Sequence, residues 1–269
     1  MAQKVLKARM KRLAVRAARV TGNVARQLRP LAPVVGVGLL EACSEGLVTA
    51  VEVARPSVVQ VQATRQTTAL ESSGRSSPKL VAEWGVGVIV DPAGLIVTAT
   101  RFARDVTGLG VRLDNELLLP AEVLGTLGDS GLALLRVEAA DLPAAAPAEG
   151  DLRMGQLVIA LGPGPGRSVA ATLGVISGIG YAARGRNGEL LEGLLLTDAA
   201  RSRGLAGTPL LDPQGSVVAI LTEAVATASG LGYAVPAQVV WRGARMIAAG
   251  RTRPARAGEG SQPNARLAS

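Results

Sequence analysis

The chain has 269 residues, no histidine and a single cysteine, Cys43. An internal disulfide framework and a cysteine–histidine zinc site are excluded, and so is any reaction that runs on an imidazole. The net charge of +8 is uneven: residues 1–30 carry nine Lys/Arg and no acid, residues 31–241 sum to −6, and residues 242–269 sum to +5. This is a mildly acidic body with basic ends. With one Phe, two Trp and two Tyr, the core has to be built from Val, Leu, Ile and Ala.

In chain order, residues 4–28 come first. Leu6, Met10, Leu13, Ala17, Val20, Val24 and Leu28 recur at spacings of three and four among Lys and Arg, which predicts a basic amphipathic helix. Pro30 ends it, and a ten-residue apolar run, Leu31 to Leu40, follows. That run is too short to span a bilayer, which needs about 20 residues. Residues 1–46 read as an anchor on a membrane or a partner. The alternative is a cleaved signal, with Leu40-Glu41-Ala42-Cys43 resembling a lipoprotein box. Leu47 to Arg55 reads as a short helix closed by Pro56.

Strands then begin. Ser57–Ala63 alternates apolar and polar residues. Residues 64–80 are polar and Ser-rich and read as a loop. Trp84–Val90 and Leu95–Ala99 are apolar runs joined by Asp91-Pro-Ala-Gly94, a hairpin turn. Further runs cover 110–113, 117–124, 132–137, 156–161, 170–179, 194–197, 209–211, 216–222 and 232–235. Many short strands at regular spacing predict a sandwich or a barrel. Residues 237–249 read as a closing helix, and residues 251–269, rich in Arg, Gly, Pro and Ser, as a disordered tail.

Four stretches carry a resemblance to the HtrA-like branch of the trypsin family. Gly85-Val-Gly-Val-Ile-Val-Asp-Pro-Ala-Gly-Leu-Ile-Val-Thr98 is similar to that family's entry to its histidine loop. Gly131-Leu-Ala-Leu-Leu-Arg-Val137 resembles its D-L-A-L-L-K-V strand. Leu196-Thr-Asp-Ala-Ala200 with Gly204-Leu-Ala-Gly-Thr-Pro-Leu-Leu211 resembles its nucleophile loop, and Gly230-Leu-Gly-Tyr-Ala-Val-Pro236 its closing strand. The resemblance implies an all-β, chymotrypsin-like fold: two six-stranded antiparallel barrels, at about 51–145 and 150–236, within a domain of residues 47–250. No stretch here matches the family's PDZ domain.

The resemblance also places the family's catalytic triad. Arg101 stands where the histidine would be, Gly131 where the aspartate would be, and Ala206 where the serine would be. Arg101 stays protonated and cannot accept a proton. Gly131 has no carboxylate, and Ala206 no oxygen to acylate. Loss of one essential triad member costs about 10⁶ in turnover. These positions lead to the expectation that the chain is not an enzyme but a binding or scaffolding homologue. The other readings are an active endopeptidase with relocated catalytic residues and a structural subunit of a complex. Ser130, in Gly128-Asp129-Ser130-Gly131, mimics the start of a nucleophile motif but lacks the following Gly-Pro and reads as a polar turn.

Main-chain donors survive loss of a triad, so Gly204 and Ala206 are candidate binding residues for an anion or a peptide; the resemblance implies that Arg101 lies close by and that Thr222 and Gly230 flank a peptide groove. No cofactor or metal is expected. Expected partners are protein or peptide, and an anionic membrane surface through residues 4–28. The lack of stacking aromatics in that helix argues against nucleic acid. The resemblance further implies a homotrimer or a subunit of a larger complex, and a place at the membrane or cell envelope.

Overall fold

The computed structural model describes residues 32–70, 76–164, 168–186, 188–200, 205–225 and 230–250. The expected basic helix at 4–28 and the tail at 251–269 lie outside these residues. The chain divides into two units, Met1–Val48 and Thr49–Ser269.

Helix α1 runs from Ala32 to Ala54 as one 23-residue element. This corrects the separation of an apolar run at 31–40 from a short helix at 47–55. Pro33 sits in the first turn, where its missing N–H has no intrahelical acceptor to lose. The α-helix stops at Ala54, since Pro56 disfavours continuation of the α conformation at the residue before it. A 3-10 turn, Arg55–Ser57, follows, and the Ser57 hydroxyl donates to the Ala54 carbonyl at 2.7 Å. Among the described residues, no helix is long and apolar enough to cross a membrane.

Twelve strands then build two closed barrels. The first is ordered β1 (Val58–Leu70), β2 (Ser76–Asp91), β3 (Leu95–Ala99), β6 (Leu132–Val137), β5 (Leu118–Thr126), β4 (Gly108–Arg112). The second is ordered β10 (Pro209–Leu211), β11 (Val217–Thr222), β12 (Gly232–Pro236), β9 (Leu190–Thr197), β8 (Val169–Arg184), β7 (Leu157–Pro163). All strand pairs are antiparallel. The two six-stranded barrels expected from the resemblance are therefore present.

The apolar runs explain the interior. Every residue of β3 and β11 is buried. Ile89, Ile96, Phe102 and Leu135 fill the first barrel; Ile176, Leu195, Leu210 and Leu221 fill the second. Each such side chain contributes roughly 1.5–3 kcal/mol by leaving water. The crossover between barrels is itself tied down: Ala145 N–H donates to the Ile89 carbonyl at 2.9 Å and Ala148 N–H to Val217 at 2.8 Å.

The expected loop at 64–80 is instead the outer half of a hairpin. β1 and β2 pair without a register shift from Val58↔Val88 out to Leu70↔Ser76. The outer ribbon meets solvent on both faces, so no alternation marks it in the sequence; main-chain pairing and the Thr-rich composition hold it. The second barrel has a matching projection, since β8 and β9 run beyond the expected 170–179 and 194–197. This one is bulged, with register shifts between Ile176 and Gly178, Gly178 and Tyr181, and Tyr181 and Ala183. Finally α2, Ala237–Ala248, buries Ala237, Val240, Trp241, Ala244 and Ile247 at helical spacing. It packs on β11 and β12 of the second barrel and on β5 of the first.

Candidate functional site between the barrels

The site begins where β3 leaves the first barrel. Ala99 is still extended, and Thr100–Phe102 then form a 3-10 turn. Phe102 folds back into the core, 1% exposed, which aims its neighbour Arg101 outward. The Arg101 guanidinium lies over the Phe102 ring, 4.6 Å from its centroid. Gly85 is required beneath: a Cβ there would come within 2.1 Å of the ring.

The β5–β6 turn forms the next wall. Thr100 N–H donates to the Gly131 carbonyl at 2.8 Å, which fixes the two expected positions side by side. Ser130 is a turn residue, as expected: its hydroxyl accepts from Leu132 N–H at 3.3 Å. Its carbonyl accepts from the Thr222 hydroxyl at 2.5 Å, and Thr222 in turn accepts from Ala224 N–H at 3.0 Å. Gly131 has φ of +74°, and a Cβ would sit 2.7 Å from Thr222 Oγ1 and 2.9 Å from Ala224 Cβ. The backbone and its neighbours leave no room for an aspartate there without movement.

The second barrel closes the site with Glu223, just past β11. Its carboxylate takes a 2.6 Å hydrogen bond from Arg101 Nη1, with both side chains about a third exposed. This ion pair links the barrels. Each barrel then braces it with an arginine on its long hairpin. Arg65, on the outer part of β1, pairs with Glu83 at 2.5 Å and donates to the carbonyl oxygens of Arg101 and Arg104. Arg186, in the β8–β9 turn, donates its main-chain N–H to Ala224 at 2.8 Å and its Nε to the Glu223 carbonyl at 2.9 Å.

A cavity of about 250 Å³ opens at this junction, lined among others by Arg101, Arg104, Asp129, Gly131, Arg186, Glu189 and Glu223. Glu189 keeps one carboxylate oxygen, Oε2, buried and without a hydrogen-bond partner. A buried acceptor left unpaired costs about 1–3 kcal/mol, and more for a charged group. Among the described residues, no three His, Cys, Asp or Glu side chains are grouped to hold a metal ion.

The structure distributes the expected binding residues unevenly. Arg101 and Gly131 meet at the cavity wall, and Thr222 lies directly behind Gly131. Ala206 is 6% exposed, with its methyl among the buried residues of the first barrel, such as Ala99 and Phe102. Gly207 explains that insertion, since a Cβ at its φ of +89° would strike the Val86 carbonyl at 2.5 Å. Gly230 is exposed in a turn and does not line the cavity. Gly204 lies outside the described residues. Sequence reasoning missed Arg65, Arg186 and Glu223, because each meets a partner distant in the chain, and Glu189, because nothing local marks it.

Two closed six-stranded barrels with a polar cleft at their junction define a chymotrypsin-like domain. The trypsin-like peptidase domain family matches residues 85–220. The chain belongs to that family, in its HtrA-like branch. It is 34% identical over 166 residues to the Arabidopsis thaliana protein "Protease Do-like 1, chloroplastic", covering 58% of this chain and 37% of that one. It is 32% identical over 162 residues to "Periplasmic serine endoprotease DegP" of Escherichia coli K12, covering 58% of this chain and 34% of the relative. The chain thus spans about a third of the length of these relatives. Among solved structures, the HtrA-type protease AlgW matches with a decapeptide (TM-score 0.65, 23% identity, 76% of this chain and 68% of that one). It also matches with a tripeptide (TM-score 0.62, 25% identity, 75% and 63%).

These matches correct the expectation that the chain stands outside the enzymes. Its family is a peptidase family, and the relatives are named as serine proteases and endoproteases. Substitutions at three positions were too narrow a base for assigning an enzyme class.

Proposed function

We propose that this chain is an HtrA-type protein that engages an extended polypeptide in the cleft between its barrels. The observation that carries the proposal is the polar cleft at the junction of the barrels, walled by Arg101, Arg104, Asp129, Arg186, Glu189 and Glu223. A polypeptide is a continuous row of N–H donors and carbonyl acceptors, and the carboxylates and guanidinium groups of this wall offer partners to both. Membership of a peptidase family and the peptides held by the AlgW neighbour support the same reading. The periplasmic relatives favour the cell envelope as the place of action. Residues 4–28 then serve as a basic attachment to anionic lipid, which flotation with liposomes, with and without residues 1–30, measures directly.

A second reading is cleavage of the bound chain, favoured by the names of the relatives. Cleavage here needs groups other than those at 101, 131 and 206, whose side chains offer no nucleophile and no base. The acids that face the cavity are Asp129, Glu189 and Glu223, and a carboxylate of this kind can activate water.

Both readings are tested by titrating fluorescein-labelled casein with the full chain while following fragments by mass spectrometry. Binding that weakens about tenfold, or roughly 1.4 kcal/mol, in Glu189→Gln is the expected result. Equal binding by wild type and variant would remove the cleft from the account. Fragments that disappear in Asp129→Asn or Glu223→Gln would establish relocated hydrolysis; fragments that persist in both would assign cleavage to other residues.

A further inference from the structure

A second cavity, of about 500 Å³, lies elsewhere between the barrels and shares no lining residue with the cleft. It is walled by the end of α1 with the 3-10 turn, the start of β1, the end of β4 and the β4–β5 turn, and by β7 and β8. Val58, Leu113, Leu161 and Val169 supply its apolar surface. Val58 and Leu161 are 3% and 2% exposed, so this wall is the outer layer of the barrel cores and not loose surface.

Its charges are two arginines and two acids. Arg55 Nε is 2.9 Å from Asp114 Oδ1, and Arg112 Nη1 is 3.0 Å from Glu116 Oε2. The two pairs differ in burial. Arg55 and Asp114 are 59% and 35% exposed. The Arg112 side chain is only 15% exposed, while Glu116 is 71% exposed. Arg112 is therefore a buried cation whose counterion stays in water. Its Nε is buried and has no hydrogen-bond partner. A guanidinium cannot shed its proton to escape this, so the unpaired N–H is a standing cost. The Trp84 ring, 5.6 Å from Arg112 Cζ, helps to hold the guanidinium in place.

We propose that this cavity binds a carboxylate carried on a short aliphatic stem, with its head on Arg112 and its stem along Val58, Leu161 and Val169. A carboxylate matches a guanidinium edge through charge-assisted hydrogen bonds. The apolar wall selects an aliphatic stem over a bare inorganic anion, and the volume falls in the range of small-ligand pockets, roughly 300–1,000 Å³. Asp114 and Glu116 oppose the ligand's charge, which sets the affinity near the weak end. Exposed Glu116 competes for the same guanidinium and so tunes the site.

Two sources share this chemistry: a free short-chain acid and the end of a polypeptide. Calorimetric titration of the full chain with hexanoate, and separately with N-acetyl-alanyl-valine, distinguishes them. Hexanamide serves as the neutral control for both. The expected result is a dissociation constant of about 1 mM or tighter for one of the two carboxylates and no heat from hexanamide. Arg112→Met is expected to weaken binding about tenfold or more, and Glu116→Gln, which changes an exposed side chain, to tighten it about two- to fivefold. Should Arg112→Met fail to fold, the Glu116→Gln effect and the amide control still decide. Equal heats from hexanoate and hexanamide, no heat from either carboxylate, or unchanged binding in Glu116→Gln would overturn the proposal.

Discussion

The two long hairpins reach the same ion pair differently, one through a side chain alone and the other through main chain as well, since Arg186 donates both its N–H to Ala224 and its Nε to the Glu223 carbonyl. The β1–β2 hairpin keeps one register along its whole length and projects Arg65 as a side chain onto the Arg101 and Arg104 carbonyl groups. The β8–β9 hairpin breaks register three times, and its turn brings the Arg186 backbone onto Ala224. The regular ribbon reaches the ion pair through the Arg65 side chain. A bulged hairpin bends, and so can offer main chain directly. Together they hold Arg101 and Glu223 at 2.6 Å across the cleft.

Several substitutions break this arrangement at different depths. Phe102→Ala removes the ring beneath Arg101 and a fully buried core side chain together. It is expected to lower unfolding free energy by about 3–5 kcal/mol in denaturant titration. Gly131→Asp, the change that would restore a carboxylate, meets both a φ of +74° and Thr222 Oγ1. Its expected cost is about 2–3 kcal/mol, measured as a fall in thermal midpoint. Arg65→Ala removes a mostly buried guanidinium that serves two carbonyls and Glu83, and about 1–1.5 kcal/mol is expected, after allowance for partial exposure.

Gly180→Ala probes the bulged hairpin alone. Gly180 has φ of +73° with open space around its Cβ position, so only backbone strain is added; about 1 kcal/mol is expected. Arg186→Ala should be mildest, a few tenths of a kcal/mol, because Arg186 is exposed and its main-chain bond to Ala224 survives. A cost for Arg186→Ala equal to that of Arg65→Ala would mean that the Arg186 side-chain bond to Glu223, and not its main-chain bond to Ala224, carries the brace, contrary to the comparison.

The barrels were legible because their inner strands are continuous apolar runs. β3, β6 and β10 fall at the residues expected from hydropathy alone. The outer hairpins were not legible in full, since strands wet on both faces carry no period. In the cleft, Arg101 and Gly131 were placed by motif order, and the structure brings them together. Their partners were not, because the pairing of Arg101 with Glu223 spans 122 residues and depends on how two barrels dock. Ala206 was located by motif order as a main-chain donor; its methyl packs inward among the buried residues of the first barrel.

Amide hydrogen exchange of the full chain, with and without excess casein, tests the central claim most directly. Polypeptide held in the cleft predicts slower exchange at 222–225 and in the β8–β9 turn, with the β4–β5 turn unchanged. Protection confined to the β4–β5 turn, or absent from both, would contradict a polypeptide site at the junction of the barrels.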